Sequence, residues 1–150
     1  MLDTNLDVEK LKKLQFKIMK DVAASALIPL MRIGDQLGLF QKLSALGPIT
    51  SKKFAEEAKV DERYLREWLY ALSATDFVSY DGEKEEFSLS PEQKAVFADE
   101  EGPANMLGAY EVLAGQVYAE EKVLEAFKTG NGVAYELSLI HISEPTRQPC

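Results

Sequence analysis

The amino-acid sequence predicts a mainly α chain with one small β-hairpin, and three observations carry that expectation. Apolar residues recur at threes and fours through residues 8–22, 64–72 and 106–127, the period of a helix that buries one face. Alternation of period two is confined to "FVSY" (77–80) and "EFSL" (86–89) around "DGEKE"; these read as two short strands with Asp81-Gly82 in the turn. The order in the middle of the chain is a short helix, a longer helix and then the hairpin, which is a winged helix-turn-helix. Long N- and C-terminal helices flank it.

Element by element, Asp7 is placed to cap a first helix in which Val8, Leu11, Leu14, Ile18 and Val22 form one stripe. From residue 22 to 31 the chain is apolar nearly all round, the mark of a helix buried in its own core or against another subunit. Pro29 must kink or restart it. A short helix through Phe40, Leu43 and Leu46 follows, stopped by Gly47-Pro48. Thr50 or Ser51 caps the next helix, with Phe54, Ala55 and Ala58 facing inward, and Asp61 caps the longer one. There Tyr64, Leu65, Trp68, Leu69 and Leu72 are expected on a single inward face. After the hairpin, Ser90-Pro91-Glu92 opens a helix with Pro in first position. "DEEGPAN" breaks it, and one last helix is expected over 104–128. The expected segments are a helical dimerisation segment at 1–46, the winged helix at 47–98, a helical linker at 99–136 and a separate tail at 137–150.

Composition narrows the function classes. The 150 residues are 46% apolar and 28% charged, which suits one globular domain with a sizeable core. A net charge of −8 repels phosphate backbones and anionic lipid. The acidic start "MLDTNLDVEK" has no basic n-region or apolar h-region, so no secretory signal is expected. The uncharged run at 22–31 is half the length a spanning helix needs, so no membrane partner is expected. With a single Cys no intrachain disulfide can form, which fits the cytoplasm.

Three signals invite a sharper reading. A winged helix suggests DNA, yet the helix that would enter the major groove carries Asp61, Glu62 and Glu67 against Arg63 and Arg66. The wing "DGEKEE" has four acids and one Lys. Phosphate binding needs a basic stripe, so no nucleic-acid partner is expected, and Arg63 and Arg66 read as solvated or paired with Glu62 and Glu67. A DNA-binding transcriptional regulator is kept as the alternative function. Gly130-Asn131-Gly132 looks like the start of a nucleotide loop, but "EEKVLEAFKT" before it has helical spacing rather than strand alternation; a glycine helix cap is the better reading. Tyr110, Tyr118 and Tyr135 are candidates for lining a small-molecule pocket, weighed against ordinary packing. No residue stands out as catalytic, cofactor-binding or metal-ligating.

The only His and the only Cys, His141 and Cys150, lie in the tail. "LSLIHISEPTR" (137–147) resembles, codon by codon, the translation of a transposase-type sequencing adapter. The native reading frame is therefore expected to end at about Glu136, and neither residue is expected to belong to the protein.

The stretches "IGDQLGLFQKLSALGPIT" (33–50), "ERYLREWLYAL" (62–72), "FVSYD…EFSLSPEQKAVFADEEGPA" (77–104) and "EAFKTGNGVAYE" (125–136) together resemble the N-terminal part of a family of S-adenosylmethionine-dependent methyltransferases. Members of this family carry a winged helix before the catalytic domain. The resemblance implies a region that forms a homodimer and helps cover a small-molecule substrate pocket. It places the S-adenosylmethionine loop in a downstream Rossmann-like domain outside this sequence, so the parent would use the cofactor and this piece alone would not. Leu27, Ile28, Met31, Met106 and Leu113 are the expected dimer-interface residues, since two apolar helices with small residues between them invite a two-fold contact.

Overall fold

The computed structural model describes residues 6–133. Helix α1 spans Val8–Ser25, and the Asp7 carboxylate accepts from the backbone N–H groups of Glu9 and Lys10 at 3.1 Å each. Helix α2 spans Leu27–Gln36. Pro29 sits in its first turn, where a missing N–H leaves no bond unmade, so it restarts the helix and Ala26 marks the break. Helix α3 (Leu39–Leu46) is bounded by Gly38 and Gly47, both at positive φ.

Between α3 and the next helix lies strand β1 (Ile49–Thr50), which the sequence reading missed because two residues show no alternation. Thr50 then caps α4 (Ser51–Ala58), and Asp61 caps α5 (Glu62–Ser73) by accepting from the Tyr64 N–H. Strands β2 (Ser79–Asp81) and β3 (Glu86–Ser88) complete an antiparallel sheet of order β1-β3-β2, with Ile49 and Tyr80 both opposite Phe87. The wing is thus three-stranded rather than a bare hairpin. Its turn is not set by Gly82: Glu85 takes the left-handed conformation, and Asp81 Oδ1 accepts from the N–H groups of Glu83 and Lys84.

Helix α6 (Pro91–Phe97) begins in a capping box made by Ser90 and Gln93. The single helix expected over 104–128 is two: α7 (Leu107–Tyr118) and α8 (Glu120–Thr129), parted at Ala119. Glu120 and Glu121 occupy the first turn of α8, where a helix dipole favours acids.

One core runs through α2–α6 and the sheet. Met31, Phe40, Leu43, Phe54, Leu69, Leu72, Val78 and Phe87 are almost wholly excluded from solvent. The core is continuous across residue 46, where the helical segment and the winged helix were expected to part. Phe40 packs edge-on to Trp68 at 5.2 Å and lies 5.4 Å from Phe97. Trp68 donates its indole N–H to the Leu30 carbonyl at 2.8 Å, tying α5 to α2. Gly34 is required there: a Cβ on it would stand 2.5 Å from Trp68 Cζ2 and 2.7 Å from Phe40 Cε2. Tyr64, expected inward, is 75% exposed; the inward face of α5 is Leu65, Trp68, Leu69 and Leu72.

Candidate functional site

Two surfaces could serve a partner: the reading face of the winged helix and the apolar helices around it. On the first, α5 and the wing carry three cations. Arg66 Nη1 bonds both oxygens of Glu62 at 3.2 and 3.0 Å, one turn away on the same helix, and Glu62 also accepts from Ser51 Oγ at 2.8 Å. Lys84 Nζ lies 3.3 Å from Asp81. The Asp81 carboxyl is held below the usual carboxylate range by the N–H groups of Lys84 and Glu83, so it stays charged beside that lysine. Arg63 is exposed on α5. Cations already matched by acids one turn away leave little positive potential for a phosphate backbone. The sequence expectation of an acidic, acid-paired face holds for Arg66.

Beside the wing, Tyr70 and Tyr80 stand edge to face at 5.4 Å. The Tyr80 hydroxyl is pushed up to about 12, chiefly by its hydrogen bond with Tyr70. They border a shallow depression of about 610 Å³ with Ser73, Asp76, Ser79 and Gln93. On the opposite side of α5, Ile33, Leu37, Val60, Tyr64, Leu65 and Trp68 line an apolar groove of about 180 Å³.

The second surface starts at the seam between α2 and α7. Arg32 Nε donates to Glu111 Oε1 at 2.8 Å, with both side chains about three-quarters buried. Hydrogen bonding to Glu111 raises the guanidinium's affinity for its proton, and the Tyr118 hydroxyl adds a smaller contribution. Asp35 lies close by, and its carboxyl is raised by burial first and by the charges of Glu111 and Glu100 next. Leu107 and Ala114 of α7 are buried, as is Gly115, whose missing side chain suits close helix approach.

The expected site residues scatter. Tyr110 packs half-buried against the core, and burial pushes its hydroxyl up. Tyr118 is 70% exposed near Arg32. Neither lines the depression or groove above, and Tyr135 lies outside the described residues. Of the interface residues, Met106 just before α7 and Leu113 on α7 are exposed, and Leu27 and Ile28 are half-buried. Met31 requires correction: it is fully buried in the chain's own core, so it has no surface to offer a second copy. The larger exposed apolar surface lies on α1 and along α7 and α8. Helix α1 buries no residue, leaving Leu14, Ile18 and Val22 more than half exposed. Along α7 and α8, Val117, Leu124 and Phe127 are also more than half exposed. The signal was the same three-and-four spacing, which gives a face without saying what covers it.

The nucleotide-loop question also resolves. Gly130 takes the left-handed conformation at the end of α8 and caps it through the Ala126 carbonyl. Among the described residues no cluster of His, Cys, Asp and Glu could hold a metal ion.

Comparison with known proteins agrees with this architecture. The crystal structure of N,N-8-amino-8-demethyl-D-riboflavin dimethyltransferase (RosA) from Streptomyces davawensis is similar in fold, with a TM-score of 0.53 and 22% sequence identity. The similarity covers 89% of this chain and 37% of that one, so the chain spans well under half of that protein's length. No curated protein sequence matches it. The family described as the Rv2258c-like winged HTH domain matches residues 23–98, taking in α2 and α3 as the continuous core does. The chain therefore belongs to the Rv2258c-like winged HTH domain family.

Proposed function

We propose that this chain is the N-terminal dimerisation and substrate-covering region of an S-adenosylmethionine-dependent methyltransferase acting on a small molecule. The observation that carries the reading is a winged-helix core with an acid-paired reading face, set among helices that expose apolar stripes. The likeness in fold to RosA, a dimethyltransferase, supports it. A winged helix that grips DNA needs the reverse on its reading face: free cations on α5 and the wing. The competing reading, a winged-helix transcriptional regulator, has Arg66 and Lys84 against it.

The described residues do not fit S-adenosylmethionine. Its site calls for a glycine-rich loop between an apolar strand and a helix N-terminus, with an acid further on. Here the strands are two or three residues long and belong to the wing, and Gly130-Asn131-Gly132 follows a helix. In this proposal the cofactor belongs to the remainder of the parent protein, and this region supplies shape and association. The proposed assembly is a homodimer built on the α2–α7 side, where Leu27, Ile28, Met106 and Leu113 reach the surface, with Tyr110 and Tyr118 as candidate pocket-lining residues. The cytoplasm is its proposed location; no described helix is long and apolar enough to cross a membrane.

The uninterrupted gene tests the reading. An apolar strand followed by an acidic-x-Gly-x-Gly loop is expected downstream of the position of Glu136. A continuing frame without it would end the methyltransferase assignment.

A further inference from the structure

Gly130-Asn131-Gly132 caps α8 instead of opening a nucleotide loop, and its exposed turn brings a different chemistry into reach. An asparagine followed by glycine deamidates itself where the chain around it is open. The main-chain nitrogen of the glycine attacks the asparagine side-chain carbon, an approach that a Cβ on the second residue obstructs and a fixed side chain prevents. The chain has three asparagines, Asn5, Asn105 and Asn131, and only Asn131 precedes a glycine. Asn131, Gly132 and Val133 are all exposed beyond the Gly130 cap. A carbon added to Gly132 would meet nothing within 4 Å. Thr129 Oγ1 accepts from the Asn131 backbone N–H at 3.3 Å. Among the described residues, neither the Asn131 side-chain amide nor the Gly132 N–H has a hydrogen-bond partner.

Asn105 is the opposite case. Its Nδ2 donates to the Asp99 carbonyl at 2.9 Å, its Oδ1 accepts from the Leu107 N–H at 3.0 Å, and the Met106 nitrogen that would attack it donates to the Val96 carbonyl at 3.0 Å. Asp81-Gly82, the chain's one Asp-Gly pair, is open to the analogous isomerisation, but Asp81 Oδ1 is held by the N–H groups of Glu83 and Lys84 at 3.0 and 3.2 Å. We propose that Asn131 is a self-deamidation site, the one described asparagine that the fold leaves free to react. The Gly132 nitrogen bonds to Asn131 Cγ, the Cγ–Nδ2 bond breaks, and the Gly132 proton leaves with Nδ2 as ammonia. Water then opens the succinimide ring at either carbonyl. One opening gives aspartate; the other gives isoaspartate, in which the chain runs through the former side chain. Either product sets a carboxylate at the carbonyl end of α8, where the helix dipole favours cations. Isoaspartate also adds a backbone carbon where the chain leaves the helix. Both changes loosen the last turn of α8.

The test uses the full 150-residue chain, aged in warm neutral buffer with and without urea and then digested with pepsin at acid pH, where the reaction stops. Mass spectrometry with electron-transfer fragmentation reads each site. The Asn131 peptide is expected to gain one dalton, with aspartate and isoaspartate both present, at a rate that urea leaves nearly unchanged. In the folded chain Asn105 should stay intact and Asp81 unisomerised, and urea should start the isomerisation at Asp81. Gly132→Ala, which the open space at that position accommodates, should slow the change at Asn131 by about tenfold or more. Hydrogen exchange over residues 126–130 should be faster in the aged chain than in the fresh one. An Asn131 that reacts in urea but not in the folded chain overturns the proposal, because the fold then protects it. So does an Asn131 that reacts in neither, or an Asn105 that reacts at the same pace in the folded chain, since opening of the whole fold would then be the cause. Unchanged exchange over residues 126–130 overturns the loosening of α8 alone.

Discussion

Arg32 and Glu111 are 79 residues apart in sequence and 2.8 Å apart in space, and their ion pair fastens α7 to the winged-helix core. Both side chains are about three-quarters buried, so the pair is screened less than a surface one. Arg32→Ala leaves the largely buried Glu111 carboxylate near Asp35 with no cation, and is expected to cost about 1–2 kcal/mol. Urea denaturation followed by circular dichroism checks this. Arg32→Ala combined with Glu111→Ala should be less damaging than the two single losses added together.

Gly34 and Gly108 should respond to alanine with opposite signs. At Gly34 the added carbon meets Trp68 and Phe40 rings that are locked by packing, and overfilling there is expected to cost about 1–3 kcal/mol. At Gly108 nothing lies within 4 Å of the added carbon and the residue is already helical. Gly108→Ala should stabilise by roughly 0.5–1 kcal/mol. Thermal melts of the two variants beside the wild type read both signs.

Asp35 gives a pH dependence whose sign follows from burial. Its carboxyl is raised above the ordinary 3.8, so the folded chain holds the proton more tightly than the unfolded one. As pH climbs past 3.8, the unfolded chain loses that proton first and folding stability falls until Asp35 ionises in the fold as well. Asp35→Asn should abolish this component and be more stable than wild type near pH 7. The difference between the two proteins across a pH series isolates it from Asp81 and Glu92, whose lowered carboxyls act in the other direction.

Duplex DNA is expected to leave the chain indifferent. In fluorescence anisotropy with labelled mixed-sequence duplex at low salt, no saturable binding should appear at tens of micromolar protein. Tight binding that weakens steeply with added salt would restore the regulator reading. Arg63→Ala should then reduce it, since Arg63 is the exposed cation of α5.

The sequence made most of this fold legible where local chemistry is decisive. Asp7, Asp61 and Ser90 cap their helices as their side chains require. Pro29 restarts a helix, and the period of α5 finds Leu65, Trp68, Leu69 and Leu72. What escaped depended on distant partners. Strand β1 exists only because Phe87 stands opposite Ile49. Tyr64 obeys the helical period yet sits beyond the edge of the core. Met31 looked like surface because a run apolar all round does not say which side meets its own chain. The candidate surface was half legible for the same reason: spacing revealed the stripe on α1, and only three-dimensional packing shows that no described residue buries it.

Trp68 is the chain's one tryptophan, and its place between α2 and α5 makes it a built-in optical reporter. The residue is 5% exposed, its N–H is held by the Leu30 carbonyl and its ring meets that of Phe40 in a T-shaped contact. Indole emission in such a dry setting lies well to the blue of that in water. Release of α2 would hydrate the ring and free the N–H while leaving helical ellipticity nearly intact. Emission wavelength and far-ultraviolet dichroism, recorded in one denaturant series, therefore separate loosening of α2 from loss of the whole domain, with no label attached.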